Sequence, residues 1–144
     1  MKIFPFTIRE VDWKENSQFL MNIRLKVFCE EQHVSYDEEF DGEDSVCRHY
    51  LAKDIASNPL GCCRLHPSGK LERMAVLKDR RGTNIGSELL KAAMNDAYKA
   101  GMNKVTIHAQ TAAISFYEKF GFLKSSEEFL EARIPHIKME IILH

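Results

Sequence analysis

Arg80-Arg81-Gly82-Thr83-Asn84-Ile85-Gly86 lies between an apolar run, Met74-Ala75-Val76-Leu77, and an amphipathic stretch, Glu88 to Ala100. The run reads as the end of a strand. The stretch reads as a helix, with Leu89, Leu90, Ala93, Met94 and Ala97 on one side and Gly101 as its stop. A glycine-rich turn that opens a helix presents backbone N–H groups with no acceptor inside that helix. Those donors and the positive end of the helix dipole suit a phosphate. Arg80 and Arg81 add charge that persists at neutral pH. The segment therefore reads as a grip for a phosphorylated ligand, the plainer alternative being a solvated helix start.

Two common phosphate loops do not fit. A Walker loop requires Gly-Lys-Ser/Thr after its spacer, and no such triplet occurs. The dinucleotide fingerprint requires three spaced glycines early in a βαβ unit, whereas only Gly82 and Gly86 are present here, in the second half of the chain. The segment resembles instead the Arg/Gln-x-x-Gly-x-Gly/Ala loop of the GNAT superfamily of N-acetyltransferases. Arg81 and Gly86 match the two ends of that pattern. Asn84 stands where the middle glycine usually sits, and asparagine is the non-glycine residue most tolerant of a left-handed backbone.

A second segment, Thr111-Ala112-Ala113-Ile114-Ser115-Phe116-Tyr117-Glu118-Lys119-Phe120-Gly121-Phe122, follows roughly 30 residues later and resembles the same family's later helix and its Phe-Tyr-x-x-x-Gly-Phe ending. Thr111 reads as an N-cap and Gly121 as the residue just past the helix. Phe116 and Phe120, four apart, share a face. Tyr117 points about 100° away from Phe116 and can serve a site while its neighbours pack the core.

At 144 residues the chain suits one domain, spanning 1–144, with a real core. A hydrophobic fraction of 44%, a charged fraction of 28% and a formal charge of −1 describe an ordinary globular composition without a nucleic-acid footprint. No run approaches a membrane-spanning length and Met1-Lys2-Ile3-Phe4-Pro5 is not a signal peptide, so no membrane partner and a cytoplasmic location are expected. Cys29, Cys47, Cys62 and Cys63 form no Cys-x-x-Cys pair, which argues against a structural zinc site; no metal is expected, and the thiols read as free and buried or half-buried. Cys62 and Cys63, adjacent on a strand, should face opposite sides.

Along the chain, Phe6 to Arg9 reads as a strand and Trp13 to Cys29 as a helix, with a second short helix near Cys29 to Val34. Val46 to Ile55 and Leu60 to Leu65 form a hairpin across Ser57-Asn58-Pro59. Lys70 to Val76 follows the Pro67-Ser68-Gly69 turn as a strand; Val105 to Ala109, Phe122-Leu123 and Ile137 to Leu143 are the later strands. The order β-α-β-β-β-α-β-α-β-β describes a mixed α/β fold, a mostly antiparallel central sheet flanked by helices, and resembles the GNAT acyl-CoA N-acyltransferase fold over essentially the whole chain.

The resemblance implies acetyl-CoA as cosubstrate and a small-molecule primary amine as acceptor; the sequence is compatible with a homodimer. It implies that Arg81, Gly82, Thr83, Asn84, Ile85, Gly86 and Ser87 hold the pyrophosphate. The main chain of Met74, Ala75 and Val76 would then bind the pantetheine arm and polarise the acetyl carbonyl. Tyr117 is the candidate general acid, since a phenol is well matched to an alkyl thiol. His136, in Pro135-His136-x-x-Met139, is the candidate base: it resembles the histidine of glyphosate N-acetyltransferase-like members that is proposed to take the amine's proton, and imidazole titrates near working pH. Glu72 and Gln110 stand where that subgroup has arginine, which argues against the same substrate.

Glu72 is the rival base, and His108 could line the cleft. Arg24 to Gln32 resembles the substrate-side helices of ElaA-like members; Arg24, Phe28 and Glu31 could share a flank, either toward substrate or solvated. Asp37 to Asp44 is densely acidic, but Arg48 occupies the twelfth position where a calcium loop needs glutamate. That stretch reads as a solvated loop or as a rim attracting a cationic amine. A non-catalytic acyl-CoA-binding or regulatory module on the same fold is the competing function.

Overall fold

In the computed structural model, residues 5–144 are described; the opening residues 1–4, part of the stretch read above as no signal peptide, lie outside them. Among the described residues, eight strands form one sheet: β1 Phe6–Val11, β2 Arg48–Asp54, β3 Pro59–Leu65, β4 Lys70–Val76, β5 Lys104–Gln110, β6 Leu123–Lys124, β7 Phe129–Glu131 and β8 Ile134–Ile142. Their order is β1-β2-β3-β4-β5-β8-β6, with β7 also on β8. Only β4 and β5 run parallel among the described pairs. A parallel pair needs a crossover, and α3 (Ile85–Lys99) supplies it.

The sheet separates two cores. On one face α3 packs Ile85, Leu89, Leu90, Ala93 and Ala97 against Tyr50, Cys63, Leu71 and Ile107. On the other, α1 (Trp13–Arg24) and the residues after it pack Leu20, Ile23 and Val27 against Leu51, Cys62 and Ala75. Cys62 and Cys63 thus face opposite sides, as the strand period requires. Gly61 lets α3 approach closely: a Cβ there would lie 2.9 Å from the Ala75 carbonyl oxygen and 3.1 Å from Ile85.

One irregularity shapes β4. Cys62 pairs with Ala75 but Arg64 pairs with Glu72, so Arg73 and Met74 together oppose Cys63. This is a β-bulge, and Arg73 sits in it at φ 55°. Regular side-chain alternation along β4 therefore does not hold at Glu72 and Arg73.

Several boundaries differ from the sequence reading. The helix after the glycine turn begins at Ile85 rather than Glu88. The first helix widens into a π-helical segment at Leu25–Glu31. The next short helix is α2 (Tyr36–Glu39), closed by a Ser35–Glu38 capping box, and not near Cys29 to Val34. Val46 belongs to a 3₁₀ turn, and β7 has no counterpart in the sequence reading. Thr111 opens a 3₁₀ turn, with no side-chain cap, ahead of α4 (Ile114–Glu118), so its N-cap role is corrected. Gly121 does end that helix: at φ 95°, its N–H bonds the Glu118 carbonyl while the Phe122 N–H bonds that of Tyr117.

Candidate active site

β4 and β5 share only the register pairs Lys70↔Thr106 and Leu71↔Ile107, and then part. The gap leaves the β4 edge from Glu72 to Val76 without a strand partner on the β5 side. A cavity of about 500 Å³ opens there, with Leu71 and Ile107 among its lining residues. Glu72, Met74, Tyr117 and His136 all line it, as do His108 and Gln110. Four sequence-derived candidates are therefore brought together. Ala75, Val76 and the segment from Arg81 to Ser87 lie outside that lining.

The loop before α3 has the geometry its sequence asks for. Gly82 is at φ 79° and Asn84, the N-cap, at φ 71°. The first helical amide bond is Glu88 N–H to the Asn84 carbonyl, 3.0 Å, which leaves the amides of Ile85, Gly86 and Ser87 without helical acceptors. Arg81 behaves differently from a phosphate-facing charge. Its Nε donates to the Val76 carbonyl at 3.0 Å and its Nη2 pairs with Glu31 at 2.9 Å, tying the loop to the end of β4 and to the π-helical segment. The donors best placed for an anion are therefore main-chain groups. A Cβ at Gly86 would sit 3.6 Å from the Phe116 ring, so this glycine brings the start of α3 beside the helix that carries Tyr117.

Tyr117 is buried, packed edge-on against Phe116 and Phe122. Burial, with a smaller contribution from Cys63, pushes its phenol well above the ordinary range, so it stays protonated through neutral pH, and the match to an alkyl thiol expected of an ordinary phenol does not hold here.

His136 is buried at the start of β8. Its Nδ1 donates to the Ile134 carbonyl at 2.6 Å. In the neutral ring that bond places the lone pair on Nε2. Nε2 lies 3.7 Å from Glu131, whose other oxygen accepts from His108 Nδ1 at 2.8 Å.

Glu72 is placed differently. Its side chain is largely buried among Arg64 at 3.3 Å, Lys70 at 3.6 Å and Arg73 at 4.0 Å. It is one member of a network that forms part of the cavity wall, where Glu39, Asp41 and Arg73 also line it. Arg24 pairs with Glu39 and Asp44 at 2.8 and 2.7 Å; Arg64 pairs with Asp41 and Asp44 at 2.6 and 2.9 Å; Arg73 pairs with Glu39 at 2.9 Å. Arg24 and Arg64 are each 1% exposed. Glu39, Asp41 and Asp44 of the acidic stretch are thus folded onto three arginines, while Asp37, Glu38 and Glu43 stay exposed, so the solvated-loop reading holds only for part of it; Arg24 is not on a solvated flank. Phe28 lines the cavity, while Glu31 is engaged by Arg81. The one sequence signal for the network was Arg64, a charge inside the otherwise apolar strand Leu60-Gly61-Cys62-Cys63-Arg64-Leu65. Glu131 carried no such signal, because β7 was not foreseen.

Across the cavity, Gln110 donates to Gln32 at 2.9 Å, joining the end of β5 to the first helical segment. Polar groups from β4, β5, β7, β8 and α4 thus converge on a gap between two strands.

A parallel pair that splays beside a glycine turn accords with the GNAT fold, and comparison with known proteins agrees. Residues 15–143 match the acetyltransferase (GNAT) domain model, and the chain belongs to that family. YjcF of Bacillus subtilis, an uncharacterized N-acetyltransferase, is 37% identical over 121 residues, covering 81% of this chain and 86% of the relative. The crystal structure of Escherichia coli ElaA superposes with a TM-score of 0.84 at 26% identity, over 93% of this chain and 98% of that one. An acyl-CoA N-acyltransferase from Pseudomonas aeruginosa superposes with a TM-score of 0.78 at 28% identity, over 95% and 98%. The fold implies an acyl-CoA cosubstrate, and the unpartnered amides at the start of α3 fit its pyrophosphate. No helix among the described residues is long and apolar enough to cross a membrane.

Proposed function

We propose that this protein transfers an acetyl group from acetyl-CoA to a primary amine of a small molecule, by direct attack in a ternary complex. The observation that carries the reading is the shared cavity: Tyr117 and His136, one a proton donor and one an acceptor, line the same gap between β4 and β5.

Acetyl-CoA supplies an activated thioester; the rest falls to the chain. The main chain of Met74, Ala75 and Val76 borders the splay and binds the pantetheine arm, while the amides from Gly82 to Ser87 take the pyrophosphate. As the new C–N bond forms and the C–S bond breaks, Tyr117 gives its proton to the departing sulfur. His136 takes the amine's proton on Nε2, the nitrogen left open by the bond to Ile134. Glu72 is the weaker candidate for that step, because three cations already share its carboxylate.

The test is a panel of amines with acetyl-CoA, reading release of free thiol. Amine-dependent release supports an enzyme. Saturable acetyl-CoA binding without release on any amine supports the binding-module alternative.

A further inference from the structure

Glu131 has one oxygen on each of two imidazoles. Oε1 accepts from His108 Nδ1 at 2.8 Å, and Oε2 lies 3.7 Å from His136 Nε2. It is the one carboxylate within ion-pair range of His136 among the described residues. Phe129 packs against both rings, edge-on to His108 at 5.1 Å and stacked on His136 at 6.0 Å.

The hairpin that presents Glu131 is built at a cost. Glu131 and Ile134 are paired across a two-residue turn. Ala132 and Arg133 occupy that turn at φ 49° and 66°, values that favour glycine or asparagine. Arg133 then reaches across to Glu38 on α2 at 3.1 Å and fixes the hairpin tip over the cavity.

We propose that Glu131 is the positioning residue of the base: held by His108, its carboxylate faces His136 Nε2 and stabilises the imidazolium formed when that nitrogen takes the amine's proton. The inference rests on the reading of His136 as the base. Its physical content is a change of sign during the reaction. With Nδ1–H committed to Ile134, neutral His136 presents a lone pair to a carboxylate, two acceptors facing each other, and 3.7 Å leaves them unbonded. After proton transfer a donor faces an acceptor and opposite charges attract. The arrangement favours the state after transfer over the state before it, which is what accelerates the step. The proton balance is simple: the amine N–H bond breaks, the Nε2–H bond forms, and Glu131 remains a carboxylate. Burial opposes that charge, but the His108 hydrogen bond and the charges of His108, His136 and Lys70 hold Glu131 below the usual carboxylate range. The other titratable or charged groups lining this space are Lys70, Glu72 and Arg73 from β4, Glu38 and Glu39 from α2, Asp41 just after it, and Tyr117 from α4.

The experiment follows the histidine ring protons by NMR from about pH 5 to 9, a range that brackets imidazole, in the wild type, Glu131→Gln and Glu131→Asp. It needs no acceptor substrate. Removing a charge at this range should lower the His136 titration midpoint by about one pH unit. Glu131→Asp should restore most of that shift, and circular dichroism should be unchanged in both. In turnover, Glu131→Gln should move the acidic limb of kcat/KM the same way and lower kcat about tenfold, with acetyl-CoA affinity unaltered. A His136 midpoint that stays put in Glu131→Gln overturns the proposal. A limb that vanishes in His136→Ala yet stays put in Glu131→Gln removes Glu131's role alone. A limb that persists in His136→Ala removes the base assignment itself.

Discussion

Leu71 and Ala75 are four residues apart in one strand, yet they point to opposite faces of the sheet. Leu71 joins the core under α3, and Ala75 the core under α1. A regular strand would put both on one side. The extra residue at Arg73 inverts the parity, in the stretch where β4 parts from β5. The bulge and the splay are thus one structural event, and the cavity is its consequence.

Tyr117 borders that cavity as a protonated phenol. Tyr117→Phe keeps the ring and its packing and removes only the donor. kcat should fall on the order of 10²-fold with acetyl-CoA affinity little changed. Unaltered turnover on a good substrate would mean that water protonates the sulfur.

The anion site is built from amides, so it is tested by blocking them. Gly86→Glu puts a negative charge at the start of α3, and its Cβ would meet only ordinary contacts with Phe116 and Val76 at 3.6 and 3.8 Å. CoA affinity measured by calorimetry should fall at least tenfold, about 1.4 kcal/mol. Arg81→Ala should weaken it less, because that side chain is spent on Val76 and Glu31. The reverse ranking would return the phosphate contact to Arg81.

Much of this was legible in the sequence, and the parts that were not share a cause. Glycine turns, apolar periodicity and the Phe116 to Phe122 ending act over a few neighbours, so they located β4, α3 and the Tyr117 helix. The bulge is set by β3 pairing across β4, which no local pattern in Lys70 to Val76 records. The acidic stretch looked solvated because its partners, Arg24, Arg64 and Arg73, come from three other elements. Glu131 was invisible for the same reason: its importance lies in His108 and His136, reached through strand register.

The buried network should be costly to break from one side. Arg24→Met leaves Glu39 and Asp44 short of a cation in a site that excludes water. Chemical denaturation should report a loss of about 3–5 kcal/mol. Arg133→Ala, which removes an exposed pair with Glu38, should cost no more than about 1 kcal/mol. Similar losses for the two would contradict the burial argument.

Acid should attack the same network. Burial opposes the charges of Asp41 and Asp44, but hydrogen bonds and the fields of Arg64, Arg73 and Arg24 hold both below the usual carboxylate range. A carboxylate depressed in the folded state contributes stability that is present above its unfolded value and lost as pH falls toward the folded one. Glu39, pushed up by burial, works in the opposite sense. The melting temperature should therefore drop steeply below about pH 4, and Asp41→Asn should flatten that decline. An unchanged slope would remove Asp41 from the account.

The hairpin turn carries avoidable strain. Ala132→Asn keeps Arg133 and its pair with Glu38 and installs a residue that tolerates positive φ, and urea denaturation should show a gain of about 1 kcal/mol. No gain would mean that the turn is not strained.

The most direct test of the whole reading is a crystal structure with acetyl-CoA bound. The account predicts the pyrophosphate on the amides between Gly82 and Ser87, the pantetheine arm along Met74 to Val76, and the thioester sulfur within hydrogen-bond reach of the Tyr117 hydroxyl. The acetyl group would open into the space bordered by His136. A cofactor whose pyrophosphate lies away from that loop, or whose thioester lies outside the β4–β5 gap, would contradict it.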